Sequence, residues 1–347
     1  MRGEWKLQNN QYHLDFNKLC KTAKIGKLCG EPTQIKGGLL HRMYRVETSS
    51  GKYAVKALNP QIMLRKKAMS DIVNGERIAA VAAQYIRTPS VKCIDGETVL
   101  KIDDQYYMVY EWVEGKPLYN ESITAWHCEQ IGAALGKLHT IDFSPLHLPA
   151  PADFVQEPID WGNYLAKGKQ DGLPWAEELF LCKERLSEWN RRYLAAMKYL
   201  ENHLVIGHRD IDPKNVLWRD DCPIIIDWES AGYINPSQEF IVHALYWSET
   251  NEGIDKEKFT AFAKGYASSR RFDKVDWRAA IDTGLCTDWL TYNLNRSLGI
   301  ESADDAERQL GTEQVFTALN YLKHYEASIA QIVEWMSQIG RNCDDHS

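Results

Sequence analysis

Residues 208–215 hold the side chains that most clearly suggest chemistry. They read His-Arg-Asp-Ile-Asp-Pro-Lys-Asn and fit the pattern H-R-D-x-x-x-x-N. In that pattern the aspartate, here Asp210, accepts a proton from a hydroxyl group, and the asparagine, here Asn215, binds a divalent metal. The strand-like run 224–226 then ends at Asp227, a carboxylate suited to Mg²⁺. Together they predict phosphoryl transfer from a nucleotide, a reaction that depends on positioning and charge neutralisation.

A lysine upstream could bind the nucleotide phosphates. Lys56 lies in the alternating run Tyr-Ala-Val-Lys-Ala at residues 53–57 and matches the lysine of the pattern V-A-I-K. Glu76 lies three positions before Ala79, on the face of the following helix that we expect to be buried, where an unpaired carboxylate is costly. We therefore predict an ion pair between Lys56 and Glu76. The alternatives are an edge-strand lysine that reaches into solvent and a solvated Glu76.

Two further segments could approach the nucleotide through their backbone. Gly37 and Gly38 lie between two candidate strands, and glycines allow close approach to phosphates. Because the pattern G-x-G-x-x-G is absent, a plain hairpin turn explains them equally well. Residues 111–115 follow a strand-like run and are typical of a connector between two lobes, which hydrogen-bonds an adenine base through backbone groups.

The order of the elements that must position these residues predicts the fold class. Residues 33–113 contain short strand-like runs, interrupted by one helical stretch at about 62–86. Helical periodicity dominates from residue 122 onward. We predict an α+β, two-lobed, protein-kinase-like fold. Residues 1–113 would form a β-rich, nucleotide-binding N-terminal lobe, and residues 114–347 a mainly α-helical C-terminal lobe with the catalytic loop and the acceptor site.

The composition argues against nucleic acid and membranes as partners. The net charge of −7 argues against a nucleic-acid-binding protein, which normally carries a basic surface. No apolar run approaches the roughly 18 residues that span a bilayer, so we expect no membrane partner. The amino terminus shows no apolar export segment, and the eight cysteines lack metal-binding spacing. We therefore expect a cytoplasmic protein with reduced thiols.

Over roughly residues 30–300, these motifs resemble the aminoglycoside phosphotransferase and choline kinase superfamily of protein-kinase-like small-molecule kinases. The resemblance implies that Asp210 is the catalytic base, that Asn215 and Asp227 bind Mg²⁺, and that ATP or GTP is the phosphate donor. The implied nucleotide-binding residues are Lys56, Glu76, Gly37, Gly38, and, through their backbones, Glu111 and Val113.

Acidic residues could bind an amino-containing acceptor, since carboxylates pair with ammonium groups. The candidates are Asp212, Glu229, Glu239 and Asp288. For each of them the alternative is an ordinary solvated surface charge.

Four functions are compatible with the sequence: an aminoglycoside-type kinase, a metabolic kinase for choline, an amino sugar or a similar compound, a protein kinase, and a non-catalytic nucleotide-binding module. A protein kinase is disfavoured because Asp212 replaces the usual lysine, and because no A-P-E segment follows Asp227. The intact set of catalytic residues opposes a non-catalytic module.

Overall fold

The computed structural model describes residues 12–35, 41–149, 151, 157–250, 253–272, 276–300 and 305–344. The chain groups into two compact units. The first unit comprises Met1–Pro149, Ile206–Tyr233 and Lys264–Arg270, and the second comprises Ala150–Val205, Ile234–Ala263 and Arg271–Ser347. The lobe boundary that the sequence predicts at residue 113 is a different division of the chain and stays a prediction.

An antiparallel five-stranded sheet, in the order β1-β2-β3-β5-β4, lies in the first unit. Its strands are β1 (Thr33–Ile35), β2 (Arg42–Thr48), β3 (Gly51–Ala57), β4 (Leu100–Ile102) and β5 (Gln105–Glu111). Val46, Val55 and Val109 are fully or almost fully buried in its core. Lys56 on β3 lies opposite Met43 and Met108. The sheet and the helices that follow it confirm the predicted α+β class.

Among its described residues, the first unit contains four complete α-helices. They are α1 (Phe16–Thr22), α2 (Pro60–Met63), α3 (Ala68–Ala82) and α4 (Ala125–Leu138). The single helical stretch predicted at about 62–86 is wrong, because two helices are separated there by residues 64–67. All four residues of this break are exposed, so no buried side chain holds them in a helix.

Two short strand pairs flank the candidate catalytic residues. The strands are β6 (Val205–Gly207), β7 (Val216–Arg219), β8 (Cys222–Ile225) and β9 (Gly232–Ile234). β6 pairs with β9, and β7 pairs with β8. Since Val216 lies opposite Ile225, the residues just before β7 and just after β8 are neighbours.

The second unit is almost entirely helical. Its elements are α5 (Trp161–Gln170), α6 (Ala176–Leu181), α7 (Lys183–Leu200), α8 (Pro236–Ser248), β10 (Glu249–Thr250), β11 (Gly253–Ile254), α9 (Lys256–Ser269), α10 (Trp277–Asp282), α11 (Asp288–Ser297) and α12 (Asp305–Asp344), although the last residues of α9 belong to the first unit. Phe240 packs against Phe259 and Phe262 in its core. Within the described residues, no helix is long and apolar enough to cross a membrane.

Candidate active site

The loop after β6 holds the carboxylate of Asp210 in a fixed position. The side-chain amide of Asn215 donates to Asp210 Oδ2 over 2.8 Å and to the Asp210 carbonyl oxygen over 2.9 Å. The ammonium group of Lys214 lies 3.9 Å from Oδ1. Asn215 is buried, whereas Asp210 is half-buried. Asp210 is thus an oriented carboxylate that solvent and a small molecule can reach.

A histidine ties this loop to the end of β8. The amide of Asp210 donates to His208 Nδ1 over 3.3 Å, so the neutral ring carries its proton on Nε2, which lies 3.1 Å from the carbonyl oxygen of Ile226. The amide of Ile226 in turn donates to the carbonyl oxygen of Asn215 over 2.9 Å. These bonds hold residues 208–215 next to Asp227, as the spacing of the motifs predicts.

Two backbone conformations at this site had no signal in the sequence. Arg209 has a φ of 69° and Asp227 has a φ of 68°, both in the left-handed region that non-glycine residues avoid. Such conformations persist only where surrounding contacts enforce them, and they concentrate at functional sites. Here they lie next to the candidate base Asp210 and at the end of β8.

Lys56 bridges two carboxylates. Its ammonium group lies 2.7 Å from Asp227 Oδ1 and 2.6 Å from Glu229 Oε2. Burial alone would lower the pKa of Lys56, which is 8 % exposed, but the charges of Asp227 and Glu229 outweigh burial and raise the pKa above its ordinary value. The lysine therefore remains cationic where nucleotide phosphates would need a positive charge.

The predicted ion pair between Lys56 and Glu76 is wrong. Within residues 41–149 and 157–250, Lys56 forms ion pairs only with Asp227 and Glu229. The carboxylate of Glu76 instead accepts the hydroxyl of Tyr110, on β5, over 2.6 Å. Burial raises the pKa of Glu76 to about 7, although the Tyr110 hydrogen bond and the charge of Lys56 act in the opposite direction. Lys56 pairs with Glu229 instead of Glu76 because the short 3-10 helix Trp228–Ser230 places the Glu229 carboxylate beside the lysine.

Helix α3 packs closely against that short helix. A Cβ atom at Gly75 would lie 2.3 Å from the carbonyl oxygen of Trp228, so only glycine allows this approach. The indole of Trp228 also donates to the hydroxyl of Thr88 over 2.8 Å. The segment that carries Asp227 and Glu229 is thus held from both sides.

His41 is a site residue that sequence reasoning missed. Its Nδ1 accepts the amide of Asn59 over 2.9 Å, and its Nε2 lies 3.3 Å from Glu229 Oε2. Burial acts to raise the pKa of Glu229, but the hydrogen bond from His41 and the charge of Lys56 outweigh it and lower the pKa. Only the position of His41 directly before β2 could have drawn notice to it.

Asn215 and Asp227 fit a magnesium ion. The amide nitrogen of Asn215 donates to Asp210, which leaves the amide oxygen as a ligand, and Asp227 supplies carboxylate oxygens. Mg²⁺ prefers oxygen ligands and is usually held by one or two carboxylates together with substrate phosphates. In the part of the chain that the structure describes, no cluster of three or more His, Cys, Asp or Glu side chains forms a cage for a metal. Two oxygen donors would suit a metal that nucleotide phosphates also bind.

At the end of β5, the backbone groups of alternate residues point away from β3. The amide of Trp112 donates to the carbonyl oxygen of Lys52 on β3, and the carbonyl oxygen of Val109 accepts the amide of Lys92 on the opposite side. Backbone groups alternate along a strand, so those of Glu111 point to the same side as those of Val109. Val113 follows in the connector, outside any strand or helix. Gly37 and Gly38 lie outside the described residues.

The four acidic candidates for acceptor binding occupy different surroundings. Glu229 belongs to the Lys56 cluster. Asp212 is half-buried, and its Oδ1 accepts the amide of Lys214 over 2.9 Å. Glu239 is 1 % exposed and lies 3.2 Å from His243, so its oxygens are inaccessible to an acceptor. Asp288 is exposed at the start of α11 and lines a cavity of about 350 Å³ within the second unit.

Comparison with known proteins identifies the family of this chain. A family model described as APH, phosphotransferase enzyme family, matches residues 31–273. No curated protein matches the chain.

Three solved structures illustrate the likeness in fold. A spectinomycin phosphotransferase in complex with ADP and spectinomycin has a TM-score of 0.60 and 14 % identity, covering 92 % of this chain and 98 % of that one. An amicoumacin kinase in complex with AMP-PNP, Ca²⁺ and Ami has a TM-score of 0.59 and 13 % identity, covering 88 % and 94 %. A choline kinase from Cryptosporidium parvum Iowa II has a TM-score of 0.53 and 16 % identity, covering 92 % and 96 %. At these identities the likeness shows a shared fold.

Proposed function

The chain belongs to the phosphotransferase enzyme family, and from this premise we propose that it moves the γ-phosphate of ATP or GTP to a hydroxyl group of an amino-containing small molecule. The observation that carries the proposal is the fixed carboxylate of Asp210, held by Asn215 beside the Lys56–Asp227 ion pair. A base, a set of oxygen ligands and a buried cation are the parts that phosphoryl transfer requires.

Each residue has a distinct task in the proposed reaction. Asp210 accepts the proton of the acceptor hydroxyl as that oxygen attacks phosphorus, and Asn215 keeps the carboxylate oriented. Lys56 neutralises phosphate charge. Mg²⁺, held by Asn215 and Asp227, would supply further neutralisation of the phosphates. The backbone of Glu111 and Val113 would bind the base, on the edge of β5 that faces away from β3.

An amine on the acceptor is the finer part of the proposal. The chain carries a net charge of −7, and Asp212 lies two residues from the proposed base. Carboxylates near the acceptor hydroxyl would attract an ammonium group. The spectinomycin phosphotransferase and the choline kinase named above act, as their names state, on compounds of this chemical class. Asp212 therefore remains a proposed acceptor contact. Asp288, which lines a cavity within the second unit, remains a separate proposed contact, whereas the burial of Glu239 removes it from the proposal.

We also propose a cytoplasmic location. Seven cysteines among the described residues are free thiols, from the buried Cys20 and Cys128 to the exposed Cys29 and Cys93. Free thiols at exposed positions are typical of reducing compartments, where ATP and GTP are also available.

The test is acceptor-stimulated consumption of ATP and GTP with Mg²⁺, against aminoglycosides, choline-like alcohols, amino sugars and amino alcohols. Asp210→Asn should lower kcat about 10²- to 10⁴-fold, the usual contribution of a general base, while the dissociation constant of the nucleotide changes little. Asp104→Asn, in the exposed turn between β4 and β5, is the matched control and should keep full activity.

The outcomes separate the alternatives. Turnover with an amine-bearing acceptor that is lost in Asp210→Asn supports the proposal and names the substrate class. A metabolite accepted at far higher kcat/KM than any antibiotic would identify a metabolic kinase. Nucleotide binding without turnover for any acceptor would favour a non-catalytic module, and full activity of Asp210→Asn would refute the assigned base.

A further inference from the structure

We propose that Glu229, positioned by His41, is the carboxylate that holds Lys56 in place while Asp227 binds the metal. The inference deepens the proposed function and rests on it, because it assigns the metal to Asp227. It gives Glu229 the role that the sequence assigns to Glu76, and it makes His41 a positioning residue that acts through Glu229.

Binding of a metal with a nucleotide would affect the two ion pairs of Lys56 differently. Asp227 lies 2.7 Å from the ammonium group and is also a proposed metal ligand. A metal ion would draw on the same oxygens and would repel the lysine charge, which weakens this ion pair. Glu229, at 2.6 Å, is then the strong partner that remains for Lys56.

Glu76 is poorly placed to replace Glu229 as the partner of Lys56. Its Oε1 accepts the hydroxyl of Tyr110 over 2.6 Å, and the residue is 7 % exposed. If Glu76 turned towards the lysine, it would break this hydrogen bond and leave the Tyr110 hydroxyl without its carboxylate acceptor, which offsets part of the gain. No ion pair joins Glu76 to Lys56 within residues 41–149 and 157–250.

His41 fixes Glu229 through a defined tautomer. Because Nδ1 accepts the amide of Asn59 over 2.9 Å, the neutral ring must carry its proton on Nε2, which is directed at Glu229 Oε2 over 3.3 Å. The ring is 5 % exposed. Asn59 lies three residues after Lys56, so the histidine links Glu229 to the end of the strand that carries the lysine.

The test compares the dissociation constant of a non-hydrolysable ATP analogue in Mg²⁺ with that in EDTA. Glu229→Gln should weaken binding about tenfold in Mg²⁺, the usual effect of losing a hydrogen bond to a charged group. In EDTA the loss should stay below about twofold, because Asp227 still holds Lys56. Glu76→Gln tests the alternative partner and should change binding less than about twofold in either condition. Asp104→Asn, in the exposed turn between β4 and β5, is the matched control.

Two substitutions isolate the role of His41. His41→Asn keeps an acceptor for the amide of Asn59 but cannot reach Glu229, so it should reproduce the Mg²⁺-dependent loss. His41→Gln retains a donor at about the position of Nε2 and should restore much of the affinity. The double variant H41N/E229Q should bind no more weakly than E229Q, because both changes remove one interaction. If E229Q fails to fold, the His41 pair provides the same test.

Three results would overturn the inference: equal losses in Mg²⁺ and EDTA, additive losses in the double variant, or a larger effect of E76Q than of E229Q. A wild-type protein that binds no nucleotide would instead refute the proposed function itself, and the inference with it. The two failures are therefore distinguishable.

Discussion

Replacing Gly75 by alanine should loosen the contact between α3 and the segment that carries Asp227 and Glu229. The new Cβ atom would lie 2.3 Å from the carbonyl oxygen of Trp228 and 3.0 Å from its carbonyl carbon. Both are backbone atoms, so no rotamer change can relieve the overlap. The helix or the segment must move by about 1 Å to restore ordinary contact.

The expected stability change is opposite to the one that helix propensity predicts. In a helix interior, replacing glycine by alanine normally stabilises by about 1 kcal/mol. Overpacking a tight contact costs about 1–3 kcal/mol, and a rigid backbone neighbour favours the upper end of that range. We therefore expect a net loss of about 1–2 kcal/mol in the stability of α3.

Hydrogen exchange of the α3 amides measures this local stability. A loss of 1–2 kcal/mol corresponds to exchange about 5- to 30-fold faster. The dissociation constant of the Mg²⁺-nucleotide should rise as well, because the displaced segment holds Asp227. Ala80→Gly is the matched control: it lies at an exposed position of the same helix and should cost about 1 kcal/mol, but it should leave nucleotide binding unchanged.

Slower exchange in Gly75→Ala than in the wild type would refute the reasoning, since it would mean that propensity outweighs the contact with Trp228. Equal weakening of nucleotide binding by Gly75→Ala and Ala80→Gly would also contradict it. That result would attribute the effect to helix stability alone.

Two further predictions concern buried charges. The pKa of Glu76 is raised to about 7 from 4.5, so its contribution to stability is complete below pH 4.5 and is lost as the pH rises through 7; Glu76→Gln should flatten the unfolding free energy over this window by up to about 3 kcal/mol, and an unchanged pH profile would contradict the assignment. In the second unit Asp282 binds both Arg192 and Arg278. Asp282→Asn should cost about 2 kcal/mol in urea unfolding because it removes the charge that pairs with the half-buried Arg192, whereas Glu188→Gln, which breaks an exposed pair, should have no measurable effect; equal losses would count against the reasoning.

The parts of the fold that the sequence predicted are those governed by local periodicity. The stripe of apolar residues on α4 is buried as expected, because helical spacing places Cys128, Ile131, Leu135 and Leu138 on one face. The prediction of one helix at about 62–86 was wrong because it relied on periodicity alone. Apolar periodicity there does not reveal that residues 64–67 are exposed, which depends on what packs against them.

In the candidate site too, local spacing predicted some contacts and not others. The spacing within residues 208–215 and the strand before Asp227 were sufficient to predict that these groups meet, and backbone hydrogen bonds join them. The partner of Lys56 was not predictable by counting along α3. It depends on the hydrogen bond from Tyr110 to Glu76, and on the short helix that places Glu229 beside Lys56.

The sequence by itself determined which groups form the candidate site, because Asp210, Asn215 and the strand-terminal Asp227 lie close together within residues 210–227. The tertiary structure alone decided which carboxylate pairs with Lys56 and that His41 belongs to the site. The physical reason is that ion pairs between groups far apart in the chain depend on distances of a few ångströms. Those distances are set by contacts such as that of Gly75 with Trp228, which no local pattern records.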